Sequence, residues 1–368
     1  MNSSGKQKIN GGASITLDSL RIVSALIVLI HHAIMQWLTK YPNVDEQFNN
    51  LAHAGVVVFF VLSGYLIAYT TTSNNRGFRH YAVARLSRLY SVVAPALLLT
   101  AVIEITVNII NPPLAMDYTR GSSWPRYALS MFFCGEIGLL SASPPINGPL
   151  WSLSFEFWYY AIFGLWFYRS SNQKSLALLM IACFIAGPKI LLLMPIWLFG
   201  FLAYQLPRPT FTSKKSWFLT FILLGVAILI TIYLPAIPFS LGKKPFFLAN
   251  RFVSDWIIGI FFALAIWHLP YGEHSSISKE VKLLRDIANL SFPLYILHFP
   301  LLVLWRAIFG WRSDDISQMC QAIFFVTTIS ILIGILLESQ RNVWVHFFQW
   351  IINRIWPQTS SIEKVSKL

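Results

Sequence analysis

Leu17-Asp18-Ser19-Leu20-Arg21-Ile22-Val23-Ser24-Ala25-Leu26-Ile27-Val28-Leu29-Ile30-His31-His32 is the stretch on which the fold turns. Apolar side chains fill every position from Ile22 to Ile30 except Ser24, and the run continues past Trp37 to residue 38. At 1.5 Å rise per residue, 17–38 makes a helix of about 33 Å, long enough to cross a bilayer. Lys6 and Lys8 ahead of the run imitate a signal peptide. No small-residue cleavage site follows, however, so the segment reads as a retained first helix.

The same reading extends along the chain. Apolar segments lie at about 51–72, 89–110, 150–168, 175–193, 194–206, 216–236, 250–269, 290–309 and 319–338, which with the first gives ten spans. The segment 127–142 is shorter and holds Gly135 and Glu136; it reads as a re-entrant or short extra helix. The chain is 56% hydrophobic and only 12% charged, against roughly 25% charged for soluble domains. That excludes both an ordinary water-soluble enzyme and a disordered chain. The fold class is all-α, a polytopic transmembrane bundle.

The net charge of +13 would in a soluble domain raise nucleic acid as a partner. In a membrane protein the excess reports topology. With the N-terminus in the cytoplasm, 18 of the 28 Lys and Arg fall inside and 9 outside, with Arg21 left within the first helix. The expected organisation is a cytoplasmic tail at 1–16, a transmembrane domain at 17–339 and a cytoplasmic amphipathic and basic tail at 340–368. In that tail Val343, Phe347, Trp350 and Ile351 recur at helical spacing, as in an interfacial helix. Trp37, Trp124, Trp151, Trp217 and Trp311 near span ends read as an aromatic belt. Cys134, Cys183 and Cys320 are far apart without a metal-ligand spacing and read as buried thiols. No metal is predicted.

Ionisable groups inside spans are costly and normally face a cavity or the bundle interior. Arg21 and His32 are eleven residues apart, which returns to within about 20° of the same helix face and separates them by about 16 Å. His31 points about 100° away. Arg21 snorkelling to headgroups and a merely hydrogen-bonded histidine are the competing readings. Ser63-Gly64-Tyr65 in the second span suits close helix packing. Arg85 and Arg88, three apart, suit either a phosphate or ordinary inside charge. Glu156 and Tyr160 share one helix face near the outer surface, suited to orienting a histidine, holding sugar hydroxyls or a structural role. His298, in Tyr295-Ile296-Leu297-His298-Phe299-Pro300, sits on a proline-kinked helix that reads as cavity-lining.

In this order, the Leu17–His32 block, Phe59-Phe60-Val61-Leu62-Ser63-Gly64-Tyr65, Arg85-Leu86-Ser87-Arg88, Pro149-Leu150-Trp151-Ser152-Leu153-Ser154-Phe155-Glu156 and Tyr295-Ile296-Leu297-His298 resemble the membrane acyltransferase-3 family, whose members O-acylate bacterial surface glycans and related acceptors. The resemblance covers about residues 16–340. It implies His32 as the catalytic histidine, Arg21 as its companion and Glu156 as a further catalytic group. It implies an acyl-CoA site with Arg85, Arg88, Ser63, Gly64 and Tyr65, and acceptor contacts from Tyr160, Trp151 and His298. Acetyl-CoA is the implied donor and a lipid-linked or nascent surface polysaccharide the implied acceptor. The implied location is the bacterial inner membrane, multi-pass, with both termini cytoplasmic, among membrane lipid and with no nucleic acid. The chain departs from the family pattern at Phe157, where a second carboxylate is common, and at His31. Some members carry a fused extracytoplasmic esterase-like domain; here transfer is expected without one, from this chain alone, as a homo-oligomer or with a separate extracytoplasmic partner. From another class, a transporter or flippase with an intramembrane Arg/His path fits the same polar residues; the sequence has no inverted repeat to support it.

Overall fold

The computed structural model describes residues 11–73, 75–242, 246–270 and 279–355. Lys6, Lys8, Lys243, Lys244, Lys364 and Lys367, with the outer parts of both expected tails, lie outside the described residues. All regular elements among the described residues are helical: α1 Gly12–Trp37, α2 Pro42–Ser73, α3 Phe78–Ile110, α4 Pro112–Tyr118, α5 Ser123–Met131, α6 Trp151–Phe167, α7 Gln173–Gln205, α8 Ser213–Tyr233, α9 Phe252–Trp267, α10 Lys279–Asn289, α11 Ser291–Phe309, α12 Ile316–Ser339 and α13 Arg341–Ile355. Short 3₁₀ turns at Gly148–Leu150 and Phe239–Leu241 complete the set.

Seven of these helices are long and apolar enough to cross a membrane. The other two apolar helices on the expected spans, α6 and α9, are shorter at 17 and 16 residues. The first helix begins at Gly12, ahead of the expected boundary at 17. The expected border between spans at 193 and 194 moves to Gly187, where α7 breaks into two helices. Gly187 has φ +78°, a conformation that side-chain-bearing residues rarely adopt, and a Cβ there would collide with the backbone of Gly138. Beyond the break, α7 runs alongside α9. Trp256 near the start of α9 donates to the Leu192 carbonyl, and Arg208 donates to the Trp267 carbonyl at its end.

The 127–142 region is no continuous helix. Helix α5 ends at Met131, and residues 132–147 form turns that fit into the α7 break. Gly138 donates to the Ala186 carbonyl at 3.1 Å. Lys189 and Glu136, both almost fully buried, form an ion pair at 2.6 Å, with the Ser141 hydroxyl on both. A buried charge is tolerable in this setting because each partner neutralises the other and the remaining polar atoms are bonded.

The middle of the bundle is α2 and α11, the most deeply buried of the long apolar helices. Helix α2 packs on α1 and α7, and α11 on α1, α3 and α12. Gly64 of α2 and Gly200 of α7 let the two backbones touch: a Cβ on Gly64 would overlap the Trp197 carbonyl oxygen, and one on Gly200 the Val61 carbonyl oxygen.

Helix α13 is the expected amphipathic one. Trp344 and Phe348 pack against Tyr90 of α3, while Val343, Phe347 and Trp350 stay exposed. Trp37 leaves the expected aromatic belt: it is fully buried and donates to the Gln318 side chain at 3.0 Å. The cysteines are not buried thiols. Cys320 is exposed and Cys134 and Cys183 are half-buried, since lipid takes the apolar surface that a soluble core would enclose.

Candidate active site

Two polar sites lie close together along α1 and α11. The first is a cavity of about 320 Å³ toward the basic end of the bundle, the end where α1, α3 and α11 begin and α2 and α12 finish. Four guanidinium groups line it, from Arg21, Arg85, Arg88 and Arg341, with Glu156 as the single carboxylate. Arg21 is paired with Asp18 at 3.7 Å, and Asp18 is also approached by Arg285 at 3.9 Å. Arg85, Arg88 and Arg341 take part in no ion pair among the described residues. Clustered cations at membrane depth repel one another, so the wall is suited to receive an anion.

Glu156 is held by two hydroxyls. Ser63 donates to its Oε1 at 3.0 Å, Tyr160 donates to the same oxygen, and the Trp197 indole donates to Ser63 at 3.2 Å. Tyr160 is fixed from behind, because Tyr81 donates to its carbonyl at 2.9 Å. Arg85 lies over the rings of Tyr81 and Tyr160, 5.8 and 5.9 Å from their centroids.

The second site is a histidine pair. His32 Nδ1 lies 2.9 Å from the Val28 carbonyl and 3.0 Å from His298 Nε2, and His298 Nδ1 lies 2.7 Å from the Tyr295 carbonyl. A carbonyl can only accept, which assigns the hydrogens when both rings are neutral. His298 carries its proton on Nδ1 and gives it to Tyr295, leaving Nε2 as an acceptor. His32 then carries its proton on Nδ1, shared between Val28 and His298. The lone pair of His32 therefore lies on Nε2, which makes no hydrogen bond within the described residues, on a ring that is half-buried. His31 is turned away, buried, with its Nε2 3.5 Å from Asp45.

Helix α11 is shaped to make this contact. Pro300 has no N–H, so the Ile296 carbonyl loses its helical donor. Asn147, fully buried, replaces it: its side-chain amide donates to Ile296 O and to Thr100 Oγ1, both at 3.1 Å. Tyr295 joins the two sites. Its ring lines the cavity and meets Phe59 at 5.6 Å, its hydroxyl bonds Ser152 at 2.8 Å, and its carbonyl holds His298.

The sequence expectations fare unevenly in this geometry. Ser63, Arg85, Arg88, Glu156, Tyr160 and Arg21 meet in one cavity. Gly64 and Tyr65 do not line it, because steps of about 100° along α2 carry them off the Ser63 face; Gly64 packs on α7 and Tyr65 receives a hydrogen bond from Arg208 at 2.8 Å. Trp151 packs on Phe60 and Phe155 outside the cavity lining. Glu156 and Tyr160 sit with the arginines rather than near the opposite surface, because the 144–150 turn already lies deep. Pro149 O accepts from Tyr295, and α6 starts from there. His298 meets His32, and neither histidine lines the cavity, which reaches Tyr295 one turn short of His298. Phe157, at the family's second carboxylate position, stacks flat on Phe133 at 4.7 Å. Arg341 was missed as a site residue, since in sequence it belongs to the next helix and reaches the cavity only through packing of α13 on α3. Among the described residues no cluster of His, Cys, Asp and Glu fits a metal ion.

The family model for an acyltransferase domain, acyltransferase-3, matches residues 15–336, nearly the whole described bundle. The chain belongs to the acyltransferase-3 family. An "O-acetyl transferase" of Shigella phage Sf6 is 25% identical over 242 residues, covering 61% of this chain and 70% of that protein. No solved structure matches. The polar residues of α1, α2, α3, α6 and α11 thus belong to a multi-pass membrane acyltransferase, an enzyme that takes an acyl group from a donor.

Proposed function

We propose that this acyltransferase moves an acetyl group from cytoplasmic acetyl-CoA to a hydroxyl of a cell-surface polysaccharide or lipid-linked glycan, in a bacterial inner membrane with both termini in the cytoplasm. The observation that carries the reading is the His32 ring, fixed through Nδ1 with Nε2 left for chemistry, next to a cavity walled by arginines. The basic end of the bundle is then the cytoplasmic one, in keeping with the inside excess of Lys and Arg.

Arg85, Arg88 and Arg341 receive the CoA phosphates, and the pantetheine arm runs past Phe59 and Tyr295 toward His32. The cavity stops at Tyr295, one turn short of His298, so the thioester has that turn to pass on its way to His32. His32 Nε2 removes the proton of the acceptor hydroxyl while the hydroxyl oxygen attacks the thioester carbon. The C–O bond forms, the C–S bond breaks, and the proton passes from His32 to the departing CoA thiolate. His298 positions His32, and Glu156 with Ser63 and Tyr160 forms a polar wall against the donor rather than an acceptor site at the far surface.

The phage relative supports acetyl as the group moved. Mass spectrometry of surface glycans from cells with and without the protein tests the proposal. An acetyl increment on glycan only when the protein is present is expected; identical glycan masses would overturn it.

A further inference from the structure

A second polar group lies beyond His32, toward the end of the bundle opposite the arginine-lined cavity, where α1 and α11 finish. Gln36 follows His32 by four residues on α1, so it shares the His32 face one turn, about 6 Å, further out. Arg306, in the last turn of α11, donates to Gln36 Oε1 at 3.5 Å and to the Tyr118 hydroxyl at 3.3 Å, and its guanidinium lies 5.1 Å from the centre of the Trp311 ring. Tyr118 donates to the same Gln36 oxygen at 3.5 Å. A guanidinium can only donate, which turns Gln36 Oε1 toward it and Nε2 away. Gln36 is 4% exposed, and its Nε2 is buried without a hydrogen-bond partner among the described residues; Arg306 Nε is likewise buried without one. Phe299 joins this group to the histidine, its ring standing edge-on to His32 at 5.1 Å and to Tyr118 at 5.9 Å.

Arg306 is half-buried and forms no ion pair among the described residues, whereas Lys40 and Arg312 at the same end pair with Asp314 and Asp315 at 3.2 and 3.7 Å. Its partners are neutral oxygens at the long limit of hydrogen bonding, which compensates a cation poorly. Donors without acceptors, beside a cation without a counter-ion, call for an anion. A carboxylate has acceptor oxygens only and matches the guanidinium fork. A diphosphate, with two or more charges, calls for several cations, and Arg306 is the single one in this group. We infer that Arg306 and Gln36 hold the carboxylate of an acidic sugar in the acceptor, and that a hydroxyl of the same sugar reaches His32 Nε2. The single helical turn from Gln36 to His32 is about the breadth of one sugar ring. The inference rests on the reading of a glycan as acceptor and adds the charge by which that glycan is chosen.

The test supplies the full-length protein in neutral detergent with labelled acetyl-CoA and with surface glycan from cells lacking the protein, either intact or with its carboxyl groups reduced to alcohols. Wild-type kcat/KM for the intact glycan should exceed that for the reduced glycan by about tenfold or more, the worth of one charge-assisted contact. In Arg306→Gln the ratio between the two glycans should fall to about one, whereas a general loss of fold would lower both rates and leave the ratio as it was. Arg306→Lys, which keeps the charge without the fork, should give an intermediate ratio. Equal wild-type transfer to both glycans, or an Arg306→Gln protein that keeps the wild-type ratio, would overturn the inference. So would a wild-type dependence on a lipid-linked diphosphate in place of the carboxyl groups. Absence of transfer to either glycan would remove the reading of a glycan acceptor as well.

Discussion

His298 Nε2 lies 3.0 Å from His32 Nδ1, and the buried His298 ring is itself anchored on the Tyr295 carbonyl at 2.7 Å. Two helices distant in sequence thus set the tautomer of one imidazole. With both rings neutral, the arrangement leaves the His32 lone pair on Nε2, the atom that takes the hydroxyl proton in the proposed reaction.

His298→Ala should therefore lower kcat by about 10- to 100-fold, the usual worth of a group that orients a reacting imidazole. KM for acetyl-CoA should stay within about twofold, because His298 lies outside the arginine-lined cavity. His298→Gln, which retains an acceptor, should recover part of the loss. Steady-state kinetics in which KM rises and kcat holds would place His298 in substrate binding instead.

Arg85→Gln and Arg88→Gln should act the other way. Each removes a cation from a cavity with a single carboxylate, and KM for acetyl-CoA should rise about tenfold or more. The affinity of the wild-type protein should also fall with added salt. Titration calorimetry at two ionic strengths checks both expectations.

Gly200→Ala tests the packing that brings Ser63 to Trp197. The new methyl would overlap the Val61 carbonyl oxygen, with backbone on both sides and no flexible side chain to give way. Forcing α2 and α7 apart should cost about 1–3 kcal/mol or more, read as a lowered midpoint of thermal unfolding in detergent. Gly225→Ala, where a Cβ meets nothing within 4 Å, is the matched control and should leave the midpoint unchanged.

Lys189→Met should destabilise the protein by about 3–5 kcal/mol by leaving Glu136 charged, buried and without its partner. Adding Glu136→Gln should restore much of the loss. Unfolding midpoints of the two single variants and the double variant decide the matter; additive losses would mean that the pair is not coupled.

The spans were legible because a bilayer demands about 20 apolar residues in a row, and little else in a sequence imitates that. Arg21 and His32 were legible as one face because both lie on the uninterrupted helix α1. Depth was not legible. The run Trp151–Phe167 is equally apolar whether it begins at a surface or halfway into the bundle, so Glu156 was expected at the wrong end; only the deep seat of Pro149 under Tyr295 settles it. The break of α7 was hidden because Gly187 lies within continuous apolar sequence, and its signal is φ rather than composition. The joining of His32 to His298, and of Arg341 to the cavity, arises from packing between distant segments, which no local spacing encodes.

In the proposed reaction His32 Nε2 takes the acceptor proton. The most direct measurement is transfer of labelled acetyl from acetyl-CoA to glycan by purified wild-type, His32→Ala and His31→Ala proteins that bind CoA equally well. Loss of transfer by about 100-fold or more in His32→Ala, with His31→Ala near wild type, is the expected result. Undiminished transfer by His32→Ala, or loss confined to His31→Ala, would contradict it.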